Sequence, residues 1–424
     1  MNYSIDTTNN QEVPQEYKKT KIGVIPKEWE IVSLKEVLSK DVQNGYSPIC
    51  SQEETGHWIL GLGALSKYEK LNIENSKPAP KNDNKVKQFI LKNKDFLISR
   101  ANTPDKVGFS GLFRSEENIY SYPDLMMRFR VNEELIDINY MENHLKSFRV
   151  LQYLQSSSAG SSSTMVKINK KVVEDIQIIL PPLIEQQKIA KILTTWDDAI
   201  AKQKEVIKVK EQLKKGLMQK LLSGEVRFDG FSGEWEEIPL KEALKERKIY
   251  SEKGLEFEHV SLTKEGVVPK SDRYERDFLV RDDNKKYKIT YLNDICYNPA
   301  NLKFGVICKN TLGTAIFSPI YVTFELNKNH DIRFFGYLLT TNDFINRIRK
   351  YEQGTVYERM AVSPKDFLSY KLKLPPLQEQ QKIAQVLSIA DEEIELLKNE
   401  LESLKEQKKG LMQRLLSGEV RVKK

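Results

Sequence analysis

The sequence is poor in the residues that build metal sites and disulfide frameworks. It contains 3 cysteines, Cys50, Cys296 and Cys308, and 4 histidines among 424 residues, and neither set is spaced like metal ligands. An odd, sparse set of cysteines without a CxxC pair argues against disulfide stapling and favours a reducing compartment, the cytoplasm. We therefore expect no metal site in this chain.

Long apolar runs and phosphate-binding loops are also missing. No run of about 18 apolar residues occurs, so no membrane span is expected. Residues 1–20 are polar and lack the apolar core of a signal peptide, which predicts a flexible N-terminal tail. The P-loop pattern is absent, which argues against an ATPase.

One tetrapeptide resembles a catalytic motif but is incomplete. Residues 298–301 read NPAN, whereas the adenine methyltransferase motif has a second proline and an aromatic residue. The GLG at 61–63 is an isolated glycine pattern, too weak to predict binding of S-adenosylmethionine. We expect no catalytic activity and no cofactor in this chain.

Composition indicates a charge-rich globular protein of two or three domains. Hydrophobic residues make up 39% of the chain and charged residues 30%. The 67 basic and 60 acidic side chains leave a net charge of +7. This mild excess permits a polyanionic partner without requiring one.

The chain contains a long internal repeat. Residues 181–227 align without a gap to residues 375–421, at an offset of 375 − 181 = 194, and 26 of the 47 positions are identical. A second anchor lies upstream, where PKEWEIVSLKEVL (26–38) resembles SGEWEEIPLKEAL (232–244). The sequences between these anchors differ. The chain therefore alternates two variable blocks with two similar segments.

Each similar segment is predicted to be a long helix. Both begin with Pro-Pro, which suits a helix entry, and both end in LLSGEVR, whose glycine suits a left-handed cap. The second has an apolar seam at 3-4 spacing with Lys408 in one slot, whereas Gln203, Lys210 and Lys214 interrupt the first. The first helix carries nine lysines against five acids, and the second six basic residues against eight acids. Opposite charge favours pairing of the two helices with each other.

A glycine lies inside each helix, at Gly216 and Gly410. A glycine in a helix interior costs about 1 kcal/mol relative to alanine. Close approach of another backbone and a tolerated weak point remain equal alternatives.

The doubled LPPLxEQxxIAxxLxxxDxxI element, followed each time by LLSGEVR, resembles the specificity (S) subunit of type I restriction–modification systems. The resemblance extends over nearly the whole chain. It implies a mixed α/β (α+β) fold with two target recognition domains alternating with two helices that pack as a pseudo-two-fold antiparallel coiled coil and hold the domains apart. The expected parts are a tail at 1–20, recognition domains at 21–180 and 225–374, a spacer helix at 181–224, and a spacer helix with C-terminal tail at 375–424.

The same resemblance implies partners rather than catalysis. The S subunit binds two modification subunits, which carry S-adenosylmethionine and methylate adenine, and two restriction subunits can join for ATP- and Mg-dependent cleavage. Each recognition domain reads one half of a split double-stranded DNA site, and the helices set the spacer. The recognised bases are not readable from the sequence.

Candidate DNA-contacting residues lie in two pairs of polar loops. Arginine, asparagine and lysine pair with base edges or phosphates, and hydroxyl groups suit phosphates. Ordinary solvated loops are an equally good interpretation for each single residue. The candidates are Arg100, Asn102, Lys106, Ser161 and Lys167 in the first block, and Asn298, Asn301, Lys303, Thr355, Tyr357 and Arg359 in the second.

A different class of protein is also compatible with the helices. A coiled-coil scaffold without sequence-specific DNA binding would need the repeat but not the two dissimilar variable blocks. Salt-sensitive binding to a duplex would discriminate between the two functions.

Overall fold

The chain folds into two units. The structure, a computed structural model, describes residues 14–162, 165–251, 257–270, 286–354 and 360–422. Unit 1 comprises Met1–Gln203 with Glu400–Lys424, and unit 2 comprises Lys204–Asn399. The division between the units falls within each long helix. The two halves of each long helix bury their apolar faces in different cores, one in unit 1 and the other in unit 2. This packing explains why the division between the units lies within the helices.

Unit 1 is built from short strands, three short helices and half of each long helix. Its strands are β1 Tyr17–Thr20, β2 Gly23–Pro26, β3 Glu30–Ser33, β4 Leu38–Asn44, β5 Trp58–Ile59, β6 Lys77–Pro78, β7 Phe96–Ser99, β8 Ala101–Asn102, β9 Ser110–Leu112, β10 Tyr120–Ser121, β11 Met126–Val131, β12 Ala159–Ser162, β13 Met165–Lys167 and β14 Gln177–Leu180. Its helices are α1 Ile138–Leu145, α2 Phe148–Ser156, α3 Lys170–Glu174 and the first half of α4 Leu183–Ser223.

A four-stranded sheet in the order β4-β11-β7-β9 forms the centre of unit 1. All four residues of β7 are buried, as expected for a central strand covered on both faces. A second sheet has three strands in the order β12-β13-β8, and β14 pairs with β3. Residues 17–20, assigned to a tail from the sequence, instead form β1, because they pair with β2 in a hairpin and Tyr17 donates to the Gly418 carbonyl at 3.0 Å.

Unit 2 repeats this plan with different sequences. The strands are β15 Glu236–Pro239, β16 Leu244–Glu246, β17 Tyr250–Ser251, β18 Val260–Leu262, β19 Val267–Pro269, β20 Tyr287–Thr290, β21 Ile295–Tyr297, β22 Ile307–Lys309, β23 Ala315–Phe317, β24 Val322–Leu326 and β25 Lys371–Leu374. The central sheet has the order β16-β24-β21-β22, and β15 pairs with β25 as β3 pairs with β14. The helices are α5 Leu240–Ala243, α6 Ile332–Leu339, α7 Asn342–Ile348, α8 Pro364–Ser369 and half of α9 Leu377–Ser417.

The two long helices begin and end as the sequence predicts. Each has 41 residues and begins directly after a Pro-Pro pair. Gly224 and Gly418 follow the last residues with φ of 75° and 76°, the left-handed conformation that glycine tolerates at a helix end. Each glycine lies close to an indole ring, because a Cβ added at Gly224 would meet Trp235 at 3.3 Å and one added at Gly418 would meet Trp29 at 3.0 Å. The Cβ at Gly418 would come still closer to Pro26.

The long helices pack antiparallel within each unit, so the predicted pairing is confirmed. In unit 1, Gln203 donates to Glu400 at 3.0 Å. In unit 2, Lys210 lies 2.5 Å from Glu393, and Lys214 pairs with Asp391. The polar residues that interrupt the seam of α4 are therefore the residues that bind acidic partners on α9.

The structure places no other part of the chain against the two glycines inside the helices. Among the described residues, no atom outside the local helix backbone and the neighbouring residues lies within 4 Å of a Cβ added at Gly216 or Gly410. Close approach by another part of this chain is thus excluded as the reason for these glycines within the described ranges.

Candidate nucleic-acid interface and its attachment to the helices

The first candidate loop leaves the central sheet of unit 1 at the end of β7. Arg100 is half-buried and its guanidinium donates to the Asp124 carbonyl at 3.2 Å. Asn102 accepts from the backbone of Thr103 and donates to Ser99 Oγ at 3.3 Å. Lys106 is exposed at the tip of the following turn. The local contacts hold the first two side chains and leave the lysine in solvent.

Strand pairing joins this loop to the second candidate loop of unit 1. β8 pairs antiparallel with β13, so that Ala101 lies opposite Lys167 and Asn102 opposite Val166. β12, which contains Ser161, pairs with the other edge of β13. The structure therefore brings the candidates at 100–102 and 161–167 into one small sheet, although about 60 residues separate them in the sequence.

A glycine anchors the turn that follows Asn102. Gly108 has φ of 83°, and an added Cβ would meet Leu154 of α2 at 2.8 Å. Gln155 of the same helix donates to the Asp105 carbonyl at 2.9 Å. These contacts attach the loop to α2, so that Lys106 is presented from a supported turn.

The second unit presents its candidate loop between β21 and β22. Asn298 is buried, and its Oδ1 accepts from the backbone N–H groups of Ala300 at 3.1 Å and Asn301 at 3.3 Å. Asn298 thus shapes the turn, while Asn301 is exposed on it. Lys303 is half-buried, with its ammonium 5.4 Å from the centre of the Phe304 ring.

The two loops are held by the same backbone hydrogen bond. Ile168 N–H donates to the Arg100 carbonyl at 2.9 Å in unit 1, and Val362 N–H donates to the Pro299 carbonyl at 3.2 Å in unit 2. Residues 168 and 362 are related by the repeat offset of 194. The shared bond aligns the RAN at 100–102 with the PAN at 299–301, so Asn102 and Asn301 occupy equivalent positions.

A buried aspartate lies just before the strand that leads into each loop. Asp95 is fully buried and accepts from the Arg130 guanidinium at 2.6 Å, and Asp294 accepts from Arg247 at 3.1 Å. Each aspartate also accepts the backbone N–H three residues earlier. Burial raises the pKa of Asp294, an effect partly offset by the bond from Tyr291 and by Arg247.

Several candidates lie outside what the structure describes. Thr355, Tyr357 and Arg359 fall within residues 355–359, which are not among the described residues. Ser161 belongs to β12, and only its backbone is described.

A cluster that sequence reasoning missed joins each unit to a long helix. Glu185, in the first turn of α4, is buried and accepts from the Trp29 indole at 2.9 Å and from Arg421 Nε at 2.6 Å. An acid in the first turn of a helix interacts favourably with the helix dipole, and the tertiary fold also makes Glu185 the common acceptor of two distant donors.

The same cluster occurs in unit 2. Glu379 accepts from the Trp235 indole at 3.3 Å and from two nitrogens of the Arg227 guanidinium, Nε at 2.9 Å and Nη2 at 2.7 Å. The tryptophan, the glutamate and the arginine each occur at matching positions in both halves of the sequence. This recurrence of all three residues is the signal that could have predicted the cluster.

The glutamine that follows links the variable domain to the helix. Gln186 Oε1 accepts from Asp137 N–H at 2.9 Å, and Gln380 Oε1 accepts from Asp331 N–H at 3.0 Å. Asp137 and Asp331 cap α1 and α6. In unit 2, Tyr337 of α6 also donates to Asp391 of α9 at 2.6 Å, and burial together with this bond raises the pKa of Tyr337 to about 12.

The described residues contain no group of three or more histidine, cysteine, aspartate or glutamate side chains that could hold a metal ion. Within the same ranges, neither long helix nor any shorter one combines the length and apolarity that crossing a bilayer requires.

The fold defines a class of protein with two similar α/β units, each of which contains an antiparallel pair of half-helices and a supported polar loop. A sequence profile described as "Type I restriction modification DNA specificity domain" matches residues 26–211 and 282–406. This match covers most of the chain, which therefore belongs to the family of type I restriction–modification specificity subunits.

Two curated relatives match over nearly their whole length. The chain is 28% identical over 437 residues to a putative type I restriction enzyme MjaX specificity subunit of Methanocaldococcus jannaschii, covering 96% of this chain and 97% of that protein. It is 26% identical over 436 residues to the MjaVIII specificity subunit of the same organism, covering 94% of each.

Solved structures have the same fold. The S subunit of a type I restriction–modification system from M. genitalium matches with a TM-score of 0.50 at 16% identity, covering 91% of this chain and 96% of that one. A chain from a study of complex assembly and conformational transition in a type I R-M system matches with a TM-score of 0.56 at 13% identity, covering 93% and 99%. The predicted fold class is thereby confirmed.

Proposed function

We propose that this chain is the DNA-recognition subunit of a type I restriction–modification complex and that each unit reads one half of an asymmetric bipartite site. The observation that carries the proposal is the shared backbone bond, Ile168 to Arg100 and Val362 to Pro299, which holds an equivalent polar loop in both units. Equivalent loops with different sequences suit equivalent positions on DNA that read different bases.

Asn102 and Asn301 are the proposed base-reading residues. An asparagine amide can pair with adenine through one donor and one acceptor. Arg100, Lys106, Lys167 and Lys303 lie in the same loops or on the strand paired with them, and we assign them contacts to bases or phosphates. Asn298 contributes by shaping the turn that presents Asn301.

The long helices are proposed to set the spacer and to bind two modification subunits, which supply S-adenosylmethionine chemistry on adenine. Restriction subunits with ATP and Mg would act in the same complex, and this chain itself would catalyse no step. Since a helix rises about 1.5 Å per residue, an insertion of about one turn near Lys202–Lys210 should lengthen the spacer.

The decisive experiment exchanges one variable block. Residues 21–180 are replaced with the corresponding block of another family member, and methylated adenines are mapped in cells that contain the modification subunits. We expect one half-site to change while the other half-site and the spacer stay the same. A change in both halves would contradict the modular assignment.

A non-catalytic scaffold remains the competing function. Specific DNA binding by the assembled complex should fall steeply with salt. The logarithm of the binding constant should decrease with the logarithm of the salt concentration, with a slope of roughly −0.9 for each phosphate neutralised. Absence of salt-sensitive binding to any duplex would favour the scaffold.

A further inference from the structure

The loop that follows β4 in unit 1 exposes an isoleucine beside the first candidate loop. We define this β4 loop as residues 45–51, GYSPICS. Ile49 is 92% exposed, the highest value among the large apolar side chains that the structure describes. Single exposed apolar residues are common on protein surfaces and by themselves indicate no binding site. What distinguishes Ile49 is how the β4 loop is built around it.

The β4 loop buries its other apolar side chains and leaves Ile49 in solvent. A small apolar cluster beneath the loop comprises Ile59, Ala79 and Val86. Tyr46 and Cys50 pack against this cluster, whereas Ile49, directly before Cys50 in the sequence, remains exposed. Since burial of an isoleucine stabilises a fold, stability alone would favour the opposite arrangement.

The segment that contains Ile49 is fixed on both sides. Ser47 Oγ donates to the Asp124 carboxylate and accepts from the Asp124 N–H at 3.0 Å. On the other side, Ser51 N–H donates to the Pro78 carbonyl at 3.0 Å. The segment therefore has little conformational freedom left to lose when Ile49 contacts a ligand.

The β4 loop is attached to the arginine of the first candidate loop. Asp124, which bonds to Ser47 through its side chain and N–H, accepts from the Arg100 guanidinium through its carbonyl at 3.2 Å. Gly45 lies against the same turn so closely that an added Cβ would collide with the carbonyl oxygen of Pro123. The turn at 122–126 thus joins the β4 loop and Arg100 into one surface.

This surface is small enough to lie on one half-site. Ile49 is two residues from Ser47, and two residues span at most about 7 Å, or about two base-pair steps of 3.4 Å. Ile49 would therefore lie within a few base pairs of any base that Arg100 contacts. The exposed ammonium of Lys85 lies 4.3 Å from the centre of the Tyr46 ring and suits a phosphate beside the same bases.

We propose that Ile49 reads a thymine in the half-site of unit 1 by packing against the 5-methyl group of the base. Thymine presents this apolar group at its major-groove edge, where apolar side chains contact it. Isoleucine has no hydrogen-bonding side-chain group to offer a phosphate or a polar base edge. The inference rests on the proposed function of unit 1 as a DNA reader, and it adds an apolar specificity residue to the polar candidates.

The test compares DNA duplexes that carry thymine or deoxyuridine at each position of the mapped site. Deoxyuridine pairs as thymine does but lacks the methyl group. Equilibrium binding is measured for the full chain assembled with modification subunits, and exchange of residues 21–180 identifies the half-site of unit 1. Deoxyuridine at one position of that half-site should weaken binding by the wild-type complex about fourfold, the effect of no longer burying one methyl group.

Substitutions at position 49 connect this difference to Ile49. Ile49→Ser should bind the thymine and deoxyuridine duplexes equally, whereas Ile49→Val, which keeps a branched apolar side chain, should retain the difference. Ile320→Ala in unit 2 is the matched control, because Ile320 also follows Ser-Pro and is 61% exposed. It should leave the difference in the unit 1 half-site unchanged. Since Ile49 is exposed, Ile49→Ser should melt at the wild-type temperature, which separates lost reading from lost folding.

The inference fails if the wild-type complex binds a specific site but distinguishes no thymine of the unit 1 half-site from deoxyuridine. It also fails if Ile49→Ser retains the full difference. Loss of modification subunits from Ile49→Ser would assign Ile49 to that partner and overturn the inference as well. A wild-type complex that binds no duplex specifically would instead refute the proposed function of the whole chain.

Discussion

Lys408 of α9 donates to Asp197 of α4 at 2.6 Å, with the lysine side chain only 11% exposed and the aspartate 22% exposed. The repeat relates this pair to a second one, because 197 + 194 = 391 and 214 + 194 = 408, and Lys214 pairs with Asp391 in unit 2. The lysine that occupies an apolar slot in each helix is therefore matched by the aspartate of the repeated motif. Both pairs specify the register of the antiparallel helices.

The Asp197–Lys408 pair should be energetically coupled. In a double-mutant cycle with Asp197→Asn and Lys408→Met, we expect a coupling of about 1–2 kcal/mol in the free energy of unfolding, because either single change leaves a partly buried group unpaired. The exposed pair Lys94–Glu133, with side chains 47% and 51% exposed, is the control and should couple by less than about 0.5 kcal/mol. Equal coupling in the two cycles would remove the register-setting role.

Asn102→Ala and Asn301→Ala should each relax specificity in one half-site. Loss of a bidentate contact to adenine should cost about 1–3 kcal/mol, or roughly 5- to 150-fold, against duplexes that carry the cognate base. Methylation rates on duplexes with single base-pair changes measure this effect. Lys106→Ala is the control and should weaken binding to all duplexes alike with a smaller salt slope. Relaxation of the same half-site by both asparagine variants would refute their equivalence.

Glycines inside and beyond the helix should respond to alanine in opposite directions. Gly410→Ala should raise the free energy of unfolding by up to about 1 kcal/mol, because the position is helical and an added Cβ meets no neighbour. Gly418→Ala should lower it by at least about 1 kcal/mol, because φ is 76° and the methyl group would collide with Pro26 and then with Trp29. Chemical denaturation measures both, and the same sign for both variants would contradict this account.

His144 should make unit 1 sensitive to acid. Burial, and secondarily Arg149, lowers the pKa of His144 to about 3. Since the folded pKa lies below the unfolded value of about 6.5, the contribution is fully present above pH 6.5 and is lost as the pH falls towards 3, by up to about 1.4 kcal/mol per unit.

The variant His144→Gln removes this titration and should give a shallower loss of stability with acid than the wild type. Denaturation midpoints between pH 7 and pH 4 provide the comparison, with the exposed His57→Gln as control. Parallel pH profiles for His144→Gln and the wild type would count against the assignment.

The fold was accessible from the sequence where a local pattern repeats. The Pro-Pro entry, the terminal glycine and the 3-4 spacing specify α4 and α9, and opposite charge correctly paired them. The role of Glu185 as a buried acceptor could not be predicted from a local pattern, because its donors Trp29 and Arg421 lie 156 and 236 residues away in the sequence. No helical or strand periodicity relates residues at such distances.

The sequence predicted the candidate site as a set of polar and basic loop residues. The structure shows, for the described members, which residues occupy equivalent loop positions and which residue shapes its turn. Asn102 and Asn301 occupy equivalent positions, which their numbering conceals because the variable blocks differ in length. Asn298 is buried and bonds to its own turn, since a short amide side chain reaches the backbone N–H groups of Ala300 and Asn301. Asn102 also bonds locally, to Ser99 and Thr103, but it is only half-buried and its amide keeps one hydrogen and one lone pair for a base.

The sequence by itself determined the duplication, the two long helices, their mutual pairing and the family, because each of these depends on residues close together in the chain or on an ungapped repeat. Only the tertiary structure decided which distant residues meet. It placed residues 14–203 and 400–422 in one unit, gave Glu185 and Glu379 their donors, and brought the strand that contains Asn102 against the strand that contains Lys167. Long-range contacts of this kind depend on how whole surfaces pack, which no local pattern encodes.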